Sequence, residues 1–190
     1  RWIPESQIES LYGELSTQGL SDPGAELVED IIACPGTDTC GLGITSSKGL
    51  ARALAEVFPA GRVPEDLSDV SVKISGCHNS CAQHHISTIG LHGVGKRLGE
   101  HVAPHYELHL GGQVDGTPKI GQMTVKLPAK AVPAALSHLV TVYRRDRLPK
   151  ENLSAFIARA GKNKLKDELI PYTIVPAYKD DPTFYYDWEG

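Results

Sequence analysis

The four cysteines of the chain stand in two pairs, Cys34-Pro-Gly-Thr-Asp-Thr-Cys40 and Cys77-His-Asn-Ser-Cys81. Thiolates are soft ligands that suit zinc or iron–sulfur clusters, and four of them complete either site. Structural zinc sites use tight C-x2–4-C knuckles, because one small ion must be gripped tetrahedrally. A C-x5-C loop is wide for that, whereas the iron corners of a cubane are spread further apart and suit a wider loop. Bare spacing therefore favours the cluster, and leaves open a structural zinc module or buried, metal-free cysteines in an interaction domain. No apolar export segment is visible at the start RWIPESQIES. Metal binding or redox chemistry is thus expected of these thiols ahead of disulfide formation.

The elements around the pairs explain how they would be held. Leu27 to Ala33 is a compact apolar run that reads as a strand delivering Cys34, and Val70 to Ser75 alternates as a strand delivering Cys77. Between them, Ser46 or Ser47 is placed to cap a helix over 48–58, stopped by Pro59 and Gly61. Both cysteine pairs lie in turns rich in Gly, Pro, Asn and Ser, where the backbone bends easily. Further strands are predicted at 85–91, 106–110 and 123–127. Helices are predicted at 4–17, at 132–145 with Pro133 in the first turn, at 151–160, and in a short third piece over KNKLKDEL. The expected class is α+β, a mixed sheet with flanking helices.

The segments ACPGTDTCGLGITSSKGLA, VKISGCHNSCAQHHISTIGLHG and YELHLGG together resemble the C-terminal iron–sulfur region of siroheme-dependent nitrite and sulfite reductases. Order, both spacings, the G-C-x-N-x-C turn and the later HLGG all match, over about 27–169. The resemblance implies the C-terminal cluster-binding domain of the nitrite/sulfite reductase fold, carrying a 4Fe-4S cluster coupled to siroheme. It implies that Cys34, Cys40, Cys77 and Cys81 are the cluster ligands and that the Cys81 sulfur also bridges to the siroheme iron. A soft shared thiolate would give electrons a short covalent route for six-electron reduction of nitrite to ammonia or sulfite to sulfide. The implied partners are a small oxyanion substrate and an electron donor, either ferredoxin or an NADPH-fed flavoprotein. A further partner is the missing N-terminal portion of the enzyme, because family members are much longer. The chain starts at Arg1 and is expected to be a fragment, inactive alone. On this reading 1–26 ends a preceding ferredoxin-like module, 27–170 is the cluster and siroheme domain, and 171–190 is an extended arm packed on the body or on a partner.

Other residues have two readings each. Asn79 is placed to bond cluster sulfur or the macrocycle, and equally to serve as a turn residue able to adopt the left-handed conformation. His84, His85 and His92 invite ligation, but structural or haem-edge roles are favoured, and His109 stands in the family-like segment with its direction undecided. Gly90 to Arg97 nearly spells a phosphate loop, yet Arg97 replaces the hydroxyl needed for magnesium. A Gly-rich turn with exposed base is the better reading. Lys96 and Arg97 are candidates for siroheme carboxylates or a solvated pair. Arg144, Arg145 and Arg147 suit a helix C-terminus, or a docking face for an acidic donor.

Composition narrows the classes further. The formal net charge of -4 gives no basic excess for nucleic acid. No stretch approaches the roughly 18 consecutive apolar residues of a membrane span. A cytoplasmic oxidoreductase is expected.

Overall fold

The computed structural model describes residues 2–21, 28, 30–58, 65–114 and 116–188. Five strands form one sheet in the order β1-β2-β3-β4-β5: β1 (Ile32–Ala33), β2 (Val72–Ser75), β3 (Ile89–Leu98), β4 (His101–Leu110) and β5 (Gln122–Pro128). The first three strands are mutually parallel and the last three form an antiparallel meander, so the sheet is mixed as expected. Parallel neighbours need long connections. The β1–β2 link carries α2 (Ser47–Leu54), and the β2–β3 link carries the second cysteine pair and a short 3-10 turn, His84–Ile86.

Alternation across the register sorts the two faces. Val72, Ile74, Ile89, Leu91, Tyr106, Leu108, Val125 and Leu127 share one face and are buried. That face is covered by α2 through Leu50 and Leu54, by α3 (Val132–Asp146) through Leu136, Leu139 and Tyr143, and by α4 (Leu153–Leu169) through Leu153, Phe156 and Leu165. The opposite face carries Ser75, His92, Glu107 and Lys126 in one row across the sheet. Side chains alternate between faces with period two, so an apolar face is bought at the cost of a second face with polar groups to satisfy.

Several predicted boundaries shift. The expected turn over Gly90 to Arg97 is strand: β3 runs through it to a two-residue turn at Gly99-Glu100, with Gly99 at φ +63°. Its glycines hid the strand, since they carry no alternation. His85 falls in the 3-10 turn before the strand, not in a strand beginning at 85. The last two predicted helices are one element, α4, kinked at Gly161 (φ 77°). Pro59 and Gly61 lie outside the described residues, and α2 ends earlier, at Leu54.

The first helix is α1 (Ile8–Thr17), entered through a 3-10 turn at Glu5–Gln7, and it buries none of its residues. In the segment after Pro171, Trp188 contacts the body. Trp188 donates its Nε1–H to the Ala129 carbonyl at 2.9 Å and lies under the Lys130 ammonium, 4.4 Å from the ring centre.

Candidate metal centre

The two cysteine loops leave adjacent strand ends. Ala33 pairs with Ile74 in the parallel register, and the Cys34 N–H continues the ladder to the Ile74 carbonyl at 3.0 Å. Cys34 and Cys77 therefore emerge side by side at the C-terminal edge of the parallel part of the sheet. Beyond it the loops are joined directly. Gly76 donates its N–H to Cys34 Sγ at 3.0 Å, and its carbonyl accepts from Ile44 and Thr45 at 2.9 and 3.0 Å. Ser47 Oγ donates to the Cys34 carbonyl at 2.7 Å, tying the first turn of α2 into the same knot. The Ser46 side chain accepts from Gly49 N–H, which makes Ser46 the cap of that helix.

Such close approach needs residues without side chains. A Cβ on Gly76 would lie 2.7 Å from Gly36 Cα and 2.8 Å from the Thr45 carbonyl oxygen, and one on Gly93 would drive into Thr45 Oγ1 and the Gly76 carbonyl. The glycine that interrupts the alternation of β3 is thus the seat on which the loops rest.

All four cysteines are free thiols: Cys77 is buried, Cys34 half-buried, Cys40 and Cys81 exposed. A tetrahedral four-thiolate zinc site needs sulfurs about 3.8 Å apart, from a Zn–S bond near 2.3 Å. Among the described residues, the ligand atoms gathered within 4.8 Å of one another are those of His84, His92 and His109, and no cysteine trio is so close. Backbone N–H donation to a sulfur, as from Gly76, suits a cluster thiolate, whose negative charge it offsets.

The profile of the nitrite and sulphite reductase 4Fe-4S domain matches residues 24–175. The chain belongs to this family. Relatives of this nitrite and sulphite reductase 4Fe-4S domain include the sulfite reductase (NADPH) hemoprotein beta-component of Methylobacterium nodulans, 32% identical over 83% of the chain and 25% of that protein. The assimilatory ferredoxin-dependent nitrite reductase of Haloferax mediterranei is 25% identical over 89% of the chain and 29% of that protein. The chain thus spans about a quarter of the length of these curated relatives. The fold is that of the NirA protein of Mycobacterium tuberculosis, with TM-score 0.63 at 23% identity over 86% of this chain and 31% of that one. It is also that of a dissimilatory sulfite reductase, with TM-score 0.62 at 11% identity over 90% of this chain and 59% of that one. The cofactors of the nitrite and sulphite reductase family are a 4Fe-4S cluster and siroheme.

The other singled-out residues fall differently. Asn79 lies exposed in the second turn, but the left-handed residues there are Ser80 (φ 62°) and Gln83 (φ 58°), so its turn role is not the one predicted. Arg144 pairs with Asp66, Arg145 with Asp146 and Glu168, and Arg147 with Asp66 and the Tyr143 hydroxyl. All three side chains are ion-paired within the chain and remain exposed. Lys96 and Arg97 are exposed on the outer part of β3.

The histidines converge, which the sequence did not reveal. His84 stands in the 3-10 turn, His92 on β3 and His109 on β4, and all three are buried. The ring of His84 lies 4.7 Å from that of His92 and 5.1 Å from that of His109. Burial, followed by the neighbouring imidazoles His85, His92 and His109, lowers the His84 pKa to about 3. Burial also lowers His92 and His109, against the opposing pulls of Glu107 on His92 and of the Gly121 carbonyl on His109. Ser75, Ser80 and Glu107, which hold these rings, were not singled out from sequence either. Only strand register brings Ser75 and Glu107 beside His92.

Proposed function

We propose that Cys34, Cys40, Cys77 and Cys81 hold a 4Fe-4S cluster, and that Cys81 also reaches the siroheme iron of a nitrite or sulfite reductase. The observation that carries this reading is the direct joining of the two cysteine loops through Gly76, at adjacent ends of β1 and β2. Cys81 is exposed while Cys77 four residues earlier is buried, which suits one sulfur facing a second cofactor and the other anchoring the turn. When bound, cluster and siroheme supply the one-electron steps that add up to six-electron reduction of nitrite or sulfite. The chain's own part is to fix the sulfurs, to donate the Gly76 N–H to Cys34, and to press Thr45 and Gly76 against Gly93 of β3. Asn79 lies at the exposed edge of this site.

On this reading the domain spans 27–170, residues 1–26 with the exposed α1 end a preceding ferredoxin-like module, and 171–190 is the arm. The activity needs that preceding portion to enclose siroheme, so the 190-residue chain alone has no turnover. The electron donor is a ferredoxin or an NADPH-fed flavoprotein, the substrate is a small oxyanion, and the free thiols suit a reducing cytoplasm. No helix among the described residues is long and apolar enough to cross a membrane.

Anaerobic reconstitution with iron and sulfide, followed by metal and acid-labile sulfide analysis, tests the assignment. Close to four irons and four sulfides per chain are expected, with both falling sharply in Cys34→Ser and Cys77→Ser. One zinc and no sulfide would move the site to a structural module, and a chain with four reduced thiols that takes up neither would reject the cluster.

A further inference from the structure

Behind the second cysteine turn, on the polar face of the sheet, one ring nitrogen from each of His84, His92 and His109 lies within 4.8 Å of the other two. The three residues are 0%, 9% and 7% exposed. In every ring one nitrogen has no hydrogen-bond partner: Nε2 of His84, Nδ1 of His92 and Nε2 of His109. An unpaired buried polar atom costs about 1–3 kcal/mol, and three in one cluster call for a common cause.

The other nitrogen of each ring is held. Nδ1 of His84 is 3.0 Å from Ser75 Oγ and 3.3 Å from Ser80 Oγ. Nε2 of His92 is 3.4 Å from the Glu107 carboxylate, which is itself fixed by Lys126 at 3.0 Å. Nδ1 of His109 faces the Gly121 carbonyl at 3.5 Å. A carboxylate and a carbonyl only accept, which favours the tautomers protonated at Nε2 of His92 and Nδ1 of His109 and so a lone pair on each unpaired nitrogen. This is the arrangement found around metal-bound imidazoles, where an outer oxygen fixes the tautomer and turns the bare nitrogen to the ion. His105 gives the contrast. Its Nε2 is also buried and unpaired while Nδ1 meets the Ala103 carbonyl at 3.0 Å, but it stands outside the trio of converging ligand atoms.

We propose that His84, His92 and His109 form a second metal site, separate from the cysteines, that binds a divalent first-row transition ion such as Zn2+ through three neutral imidazoles. Imidazole suits ions of this class. A tetrahedral ion with M–N near 2.1 Å needs nitrogens about 3.4 Å apart, so the rings close by at most about 1.4 Å from the present spacing. Low proton affinity helps, since buried imidazoles that resist protonation leave their lone pairs to the metal. His85 is half-buried and touches both His84, at 3.9 Å between ring centres, and His109, at 5.2 Å. Ser80, beside Cys81, bonds both His84 and His85. The ion would therefore brace the second cysteine turn from behind. The proposal does not depend on the cluster assignment, because it uses none of the sulfurs.

Co2+ is the probe that separates the two sites, because thiolate ligation adds intense near-ultraviolet charge transfer that imidazole ligation lacks. The test uses the 190-residue chain carrying Cys40→Ser and Cys81→Ser, both at exposed positions. One Co2+ per chain is expected, with visible ligand-field bands and no sulfur charge transfer. Adding His92→Gln or His109→Gln should weaken binding at least tenfold with an unchanged far-ultraviolet dichroism spectrum. Absence of binding by the double-serine chain, or binding that survives both glutamine changes, overturns the site. If the glutamine variants unfold, the proton NMR spectrum of the Co2+ form decides. Three hyperfine-shifted exchangeable ring N–H signals support three histidine ligands, and their absence rejects them.

Discussion

Gly76 donates its backbone N–H to Cys34 Sγ over 3.0 Å, so the residue just before Cys77 is already bonded to a cysteine of the other loop. The contact exists because neither Gly76 nor Gly93 carries a side chain. Loop closure that would otherwise cost entropy is anchored by the parallel pairing of β1 with β2 and by the hydrogen bonds around Gly76 and Cys34.

Gly76→Ala should therefore damage the site without touching a cysteine. The new methyl would sit 2.7 Å from Gly36 Cα, and backbone cannot yield as a flexible side chain can. The expected cost is about 1–3 kcal/mol, read by urea unfolding, with a several-fold fall in iron taken up on reconstitution. Unchanged stability and iron content would mean that the loops are not pressed together as described.

Cys81→Ser and Pro149→Ala make a matched pair in a full-length reductase carrying this domain. Cys81→Ser should abolish six-electron turnover and the magnetic coupling between cluster and siroheme. Pro149 is exposed in a turn away from the cysteines, and its replacement should alter neither. A fully active Cys81→Ser enzyme would refute the bridging role.

Acid should destabilise the chain earlier than carboxylate titration alone would. Burial is the first cause lowering His84, His92, His105 and His109, with His84 down to about 3. Their unfolded values lie near 6.5, so between that pH and the lowered folded values the unfolded chain binds more protons. Stability is then fully present above about pH 6.5 and is lost as pH falls through that window. Without added metal, urea midpoints should drop from pH 7 to pH 5, and His84→Asn should flatten the dependence. A flat profile in the parent chain would contradict the burial of these rings.

The arm should matter for stability through Asp187 and Trp188. The Asp187 carboxylate accepts from the Ser46 N–H at 2.8 Å, at the N-terminus of α2, and its carbonyl accepts from Lys130 at 3.1 Å. Removing the charge in Asp187→Asn should cost about 0.5–1 kcal/mol, and Trp188→Ala about 1–3 kcal/mol. Thermal unfolding of both variants checks this, and an unchanged Tm in Trp188→Ala would mean that the arm is not docked.

By itself the sequence determined the family. Ligand identity and spacing are local properties, readable in Cys34-x5-Cys40 and Cys77-x3-Cys81. The sequence also determined the strand that delivers Cys77 and the helix over 132–145, because alternation and helical periodicity are written residue by residue, whereas of the strand expected over Leu27 to Ala33 only Ile32–Ala33 is strand. Tertiary structure decided the rest. β3 beyond Leu91 was hidden because Gly93 and Gly95 carry no alternation, and the purpose of Gly93 shows only when Thr45 and Gly76 are seen pressed against it. The arginines near 145 were legible as helix-end cations, but their acidic partners lie as far off in sequence as Asp66. Least visible was the meeting of His84, His92 and His109. A turn, a parallel strand and an antiparallel strand bring them together, and which side chains share one face of a sheet is fixed by register between distant segments.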